Sequence, residues 1–115
     1  MRRKRRMAGA TLAETAEVFA AIGDTTRLHI VTRLSNGGGL SIVRLTEDTN
    51  VSRQAVTKHL RSLESAGLVR SGRVGRERIW RLKPARLTEA QLYLDRISAQ
   101  WDAALSRLRA FTEED

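Results

Sequence analysis

The chain has 115 residues, the size of a single domain. It contains no cysteine, which excludes a disulfide framework, a thiol nucleophile and a cysteine-ligated metal, and it has no apolar run near the roughly 18 residues a membrane-spanning helix needs. Its net charge of +8 is unevenly placed: residues 52–86 carry ten Lys or Arg against two acids and residues 1–6 five against none, while the rest is mildly acidic. Such a localised positive footprint favours a polyanion as partner, in a protein expected to be cytoplasmic.

Residues 1–10 read as a basic, disordered arm. Arg2, Arg3, Lys4, Arg5 and Arg6 cannot bury themselves, and either touch phosphates or remain a solvated tail. They are followed by Met7-Ala8-Gly9-Ala10 rather than an apolar core, so a signal peptide is not expected. The domain is expected over residues 11–115. Thr11 and Glu14 have capping-box spacing, and the helix they open places Leu12, Ala16, Phe19 and Ala20 on its packing side. Gly23-Asp24 interrupts it. Asp24 can cap a second helix that turns Leu28, Val31 and Leu34 inward and ends at Asn36-Gly37-Gly38-Gly39. That glycine run lacks the spacing and the preceding strand of a phosphate-cradling loop, so it reads as a helix connection.

A short helix is expected over Ser41–Asp48, with Ile42 and Leu45 on its inner side and Asn50 ending it in a left-handed conformation. Ser52 then suits the N-cap of a further helix. At about 100° per residue, Val56, Leu60 and Leu63 share one face, and Gln54, Thr57, Lys58, Arg61 and Ser65 fall on the other. The second face has no acid. Its cations, amide and hydroxyls are the groups that hydrogen-bond base edges and phosphates in a major groove, although an ordinary solvated surface helix has a similar pattern. Two helices joined by a short turn, the second exposing a basic face, form a helix-turn-helix.

Gly67 closes that helix, and Val69 to Leu82 reads as a hairpin with Gly75 at its tip. Arg70, Arg73, Arg76, Arg78 and Arg81 stud its strands against a single acid, Glu77. They suit phosphates or a narrow minor groove; the alternative is charge that protects a sheet edge. After Pro84, Thr88 and Gln91 offer another capping box for a final helix of about 87–111. Along it Leu87, Ala90, Leu94, Ile97, Trp101, Ala104, Leu108 and Phe111 recur at spacings of three and four. That helix packs on the first helix, on a second copy, or on both. The predicted fold is mainly α with a small β-hairpin, a winged helix-turn-helix of five helices and a two-stranded wing.

Gly23 to Val31, Ser52 to Leu60, Glu64 to Val69 and Gly75-Arg76-Glu77 together resemble the ArsR/SmtB group of bacterial winged-helix transcriptional repressors, a likeness that covers about Val18 to Pro84 in order. Thr25 departs from it, standing where the family usually has proline. The resemblance implies a repressor that dimerises through its last helix. Many members sense metals through cysteines in the helix here at Ser41–Asp48, or through Asp and His in the last helix. This chain has no Cys, and no His after His59, which leaves Asp95 and Asp102 without partners of the right type. It therefore resembles a non-metal-sensing member, with no metal ligand or cofactor expected. Neither His29 nor His59 has a carboxylate at dyad spacing, so no catalytic residue is expected and the chain is not read as an enzyme.

The expected contacts to double-stranded DNA are Ser52, Arg53, Gln54, Thr57, Lys58, His59 and Arg61 on the helix, and Arg73, Arg76 and Arg78 on the hairpin. The expected homodimer contacts are Leu94, Ile97, Trp101 and Leu108. The function read from these is sequence-specific regulation at a near-palindromic operator. Alternatives are a sequence-indifferent architectural DNA-binding protein using the same surface, and an adaptor whose last helix binds a foreign helix.

Overall fold

The computed structural model describes residues 10–47 and 49–113. The expected basic arm, except Ala10, lies outside the described residues, as does Asp48. The elements are α1 (Leu12–Ile22), α2 (Thr25–Gly37), β1 (Leu40–Ser41), α3 (Ile42–Glu47), α4 (Arg53–Ser65), β2 (Val69–Val74), β3 (Glu77–Leu82) and α5 (Pro84–Glu113). The winged helix-turn-helix arrangement is the one expected, with one addition. The sheet has three antiparallel strands in the order β1-β3-β2, because Leu40 and Ser41 pair with Trp80 and Ile79.

Side-chain caps set the helix starts. The Thr11 hydroxyl accepts the Glu14 N–H at 3.1 Å while the Glu14 carboxylate accepts the Thr11 N–H at 3.0 Å, a complete capping box on α1. Asp24 Oδ2 accepts the Arg27 N–H at 3.0 Å to start α2, and Ser52 Oγ accepts the Ala55 N–H at 3.1 Å to start α4. The exit from α4 is equally defined. Gly67 takes φ 80°, and the Leu68 and Gly67 N–H groups reach back to the Leu63 and Glu64 carbonyls, each at 2.9 Å. This is a Schellman closure, which turns the chain into β2. At the wing tip Gly75 has φ 66° and Arg76 a negative φ, the pattern of a two-residue type II′ turn, whose twist matches that of the strands.

One core joins these elements. Val18 and Ala21 of α1, Ile30, Val31 and Leu34 of α2, Leu45 of α3, and Val56, Leu60 and Leu63 of α4 pack with Leu68, Val69, Trp80 and Ala90. Full burial of a Val or Leu contributes roughly 1.5–3 kcal/mol, so the three core residues of α4 hold it firmly. Trp80 closes the core from the sheet side, its Nε1–H without an acceptor among the described residues.

Several expectations are corrected. Of Leu12, Ala16, Phe19 and Ala20 only Phe19 packs against the core, half-buried; the buried stripe of α1 is Thr15, Val18 and Ala21, and α2 buries Ile30 where Leu28 was expected. Helix α1 is apolar around much of its circumference, and α2 offers both Leu28 and Ile30, so tertiary partners rather than local periodicity choose the inner face. Asn50 is not left-handed, because no described non-glycine residue has positive φ. The chain leaves α3 instead through Thr49, whose N–H and hydroxyl both donate to the Thr46 carbonyl, at 3.1 and 3.0 Å. Pro84 opens α5 rather than preceding it, since the first turn of a helix does not need the missing N–H; Thr88 and Gln91 lie inside the helix and form no cap. The glycine run also does more than connect. A Cβ on Gly39 would lie 2.6 Å from Ile79 Cγ2 and from Arg81 Nη1, so glycine here lets the chain pass close to β3.

Ile30 is fully buried and Leu28 is 49% exposed. Ile30→Ala should therefore cost about 2–5 kcal/mol in urea denaturation, and Leu28→Ala several-fold less; equal costs would mean that α2 turns a different face inward.

Candidate nucleic-acid interface

With Val56, Leu60 and Leu63 buried, the rotation of α4 is fixed and its opposite face must point to solvent. Ser52, Arg53, Gln54, Lys58 and Arg61 are exposed there, and Thr57 is half-buried at the margin. The Thr57 hydroxyl donates to the Arg53 carbonyl at 3.0 Å and so keeps only acceptor capacity for a ligand. These six residues thus place two side-chain cations besides Arg53 and one amide, with no acid among them, on the solvent side of the helix.

His59 departs from that face. It lies three residues beyond Val56, about 60° off the apolar stripe, and its half-buried ring points into the fold. Its Nδ1 sits 3.2 Å from Arg27 Nη1 and 3.9 Å from Asp24 Oδ2. Arg27 also donates through Nε to the Ala21 carbonyl at 2.6 Å. His59 is thus placed to hold α4 against the start of α2, on the flank of the face that carries the other residues expected to meet DNA. The Arg27 backbone N–H holds the Asp24 carboxyl below the usual carboxylate range; burial opposes it, and the Arg27 and His59 charges add to the lowering.

Other positioning contacts had no signal in the sequence. Arg33 donates to the Arg44 and Leu45 carbonyls of α3 at 2.8 and 3.5 Å, supporting the first helix of the pair. Arg86 donates to Glu14 at 3.0 Å and to Glu89 at 3.3 Å, tying α1 to α5. The Arg33 contacts and the Arg86–Glu14 pair join residues distant in sequence, whereas Arg86–Glu89 is an i,i+3 pair within α5.

The register divides the wing arginines. Arg73 pairs with Arg78 and Arg70 with Arg81, and directly paired residues share a face of the sheet. Arg73 and Arg78 therefore lie on the side of Ser71 and Trp80, and Arg78 donates to the Ser71 hydroxyl at 2.9 Å. Arg70 and Arg81 lie on the opposite side with Gly72 and Ile79. Arg76 occupies the exposed turn.

The proposed dimer residues lie on a bare surface. Leu94, Trp101 and Leu108 are 50%, 63% and 61% exposed, and Ile97 is half-buried. Of α5 only Ala90 is fully covered by its own chain.

Comparison with known proteins agrees with this geometry. A family described as a helix-turn-helix domain matches residues 22–72. The chain is 39% identical over 88 residues to the HTH-type transcriptional regulator Rv2034 of Mycobacterium tuberculosis, covering 76% of this chain and 78% of that protein. It superposes on an ArsR-like transcriptional regulator from Rhodococcus sp. RHA1 with a TM-score of 0.75 and 42% identity, over 86% of this chain and 92% of the other. The chain belongs to the ArsR-like transcriptional regulators. A homodimeric winged helix-turn-helix DNA-binding domain from Mycobacterium bovis shares the fold at 24% identity, with a TM-score of 0.60 over 87% of this chain and 94% of that domain.

This ArsR-like regulator is a DNA-binding transcriptional regulator, and the helix-turn-helix is α3 and α4. Among its described residues no three His, Cys, Asp or Glu side chains gather as a metal site would require, and no helix is long and apolar enough to cross a membrane.

A depressed Asp24 pKa stabilises the fold above the ordinary carboxylate value of 3.8, and that contribution is lost as pH falls through the still lower folded value. Asp24→Asn keeps a capping oxygen but removes the charge. The wild type should melt higher than Asp24→Asn at neutral pH, and the difference should shrink below pH 3.8. A carboxyl titration of Asp24 with a midpoint above that value would contradict the assignment.

Proposed function

We propose that this regulator is a homodimeric, cytoplasmic repressor that occupies a near-palindromic operator and excludes polymerase by blocking its access, with no catalytic step. The observation that carries this reading is the acid-free polar face of α4, held outward by a buried opposite face. Gln54 lies in the first turn, where residues of a recognition helix reach base edges, and its amide can donate and accept together as adenine requires. Ser52, Arg53, Thr57, Lys58 and Arg61 surround it and supply phosphate and further base contacts. Arg73, Arg76 and Arg78 hold the neighbouring backbone from the wing. His59 contributes indirectly, by fixing α4 through Arg27.

Support for the dimer comes from α5. An exposed apolar row of Leu94, Trp101 and Leu108, continuous with Ile97, needs a cover in water, and a second α5 provides one of matching length and pattern. The Mycobacterium bovis domain of the same fold is homodimeric. A two-fold protein then requires two half-sites about one helical turn apart.

If this seam is intermolecular, Trp101→Ala should shift the protein toward monomer and weaken DNA binding together, because loss of a buried aromatic typically costs roughly 3–5 kcal/mol. Sedimentation and a binding titration on the same sample read both effects. Wild-type protein that sediments as a monomer while binding its operator tightly would sink the dimer.

Reading and holding separate by mutation. Gln54→Ala should cost about 1–3 kcal/mol on the preferred operator and much less on scrambled DNA, leaving the salt dependence nearly unchanged. Arg76→Ala should weaken both complexes alike and lower the salt slope by about one unit, since one fewer counterion is released. The reverse pattern would exchange the roles assigned to helix and wing.

A further inference from the structure

We propose that the base of the wing carries a phosphate-binding site of its own, on the outer face of the sheet, formed by Arg70 and Arg81 around Gly72. Arg70 and Arg81 are directly paired across β2 and β3, an arrangement of like charges that destabilises a sheet unless something anionic lies between or beside them. Among the described residues neither side chain has a hydrogen bond or ion pair. The hairpin's one acid, Glu77, shares this face but stands at its far end, paired with Val74.

The operator does not reach this face in the complex proposed above. Arg70 lies four residues back from Val74 at the tip, roughly 13 Å along the strand, whereas a minor groove is only about 7.5 Å deep. The register also sets Arg70 and Arg81 on the opposite side of the sheet from Arg73 and Arg78. The two arginine pairs therefore have different partners.

Gly72 is the second observation. It sits mid-strand with no positive φ, and a Cβ built on it would meet nothing within 4 Å, so neither backbone conformation nor crowding calls for glycine. Glycine weakens a strand, and one without a conformational role marks a place where another group approaches closely. Here it opens a hollow of about 110 Å³ lined by Arg70, Ser71, Gly72, Ile79 and Arg81. On the other flank Gly39 lets the Arg81 guanidinium lie close over the backbone, where a Cβ would be 2.6 Å from Nη1. Two guanidinium groups beside a small open floor suit a phosphate, which each can grip through paired N–H donors. The phosphate comes either from a small phosphorylated molecule or from DNA flanking the operator.

Two variants test the site. Gly72→Leu fills the hollow where space is free, and Arg70→Gln with Arg81→Gln removes the charges; circular dichroism confirms the fold of each. Inorganic pyrophosphate is titrated into the full chain at low salt, followed by the Gly72 amide resonance or, in the Leu variant, by those of Ser71 and Ile79. In parallel, the salt dependence of binding is measured on a footprint-length operator and on one extended by a helical turn at each end. Saturable pyrophosphate binding that weakens at least tenfold in both variants identifies a free phosphate ligand. A salt slope larger by one to two units on the long duplex, with the increment lost in the variants, identifies flanking DNA. If the wild type shows neither response, or the variants match it in both, the site does not exist. Affinity for the short duplex stays at the wild-type value throughout, which separates failure of this site from failure of the operator-binding reading.

Discussion

Burial of Val56, Leu60 and Leu63 is the constraint on which the rest of the molecule depends. A helix rotates by about 100° per residue, so fixing those three against Ile30, Leu34 and Leu45 decides which side chains face outward and which do not. Both ends are fixed as well. Ser52 caps the start and Gly67 closes the end, leaving little freedom to slide or fray. The Arg27–His59 contact then secures the flank. In the binding mode proposed for Gln54 and its neighbours, preorganisation of this kind spares the helix an ordering cost at the moment of binding.

The same economy does not extend to α5. At 30 residues it is about 45 Å long, and its apolar row is exposed beyond the first turns. Arg86 connects this helix to α1 through Glu14, and its side chain lies against Gly67, where a Cβ would be 3.3 Å from Arg86 Cγ. The helix that offers a surface to a second copy is thereby in direct contact with the end of α4. Spacing of two reading helices in a dimer would follow from that contact.

Much of the geometry of the candidate interface is legible in the sequence because it rests on local chemistry. The Ser52 cap, the Val56, Leu60, Leu63 stripe and the glycine at the wing tip each act within a few residues. What the sequence hid depends on partners far away in the chain. Strand β1 is two residues long and exists only because β3 is beside it and Gly39 permits the approach. Periodicity alone does not identify the inner faces of α1 and α2, because Leu12 and Leu28, both exposed, are as apolar as the residues that are buried. The helical period places His59 beside the apolar stripe, but its partners Arg27 and Asp24 lie 32 and 35 positions away and are not legible from that period. Likewise the alternation of wing arginines between two faces was visible in principle from strand periodicity, but the register that pairs Arg70 with Arg81 was not.

The most direct test of the central claim, that two copies of α4 read two half-sites, is a hydroxyl-radical footprint on the promoter region upstream of the regulator's own coding sequence, with a scrambled duplex of equal length as reference. Two protected patches centred about 10–10.5 base pairs apart, or a multiple of that, within a near-palindrome and absent from the scrambled duplex, are the predicted result. Even, unpatterned protection of both duplexes would contradict it.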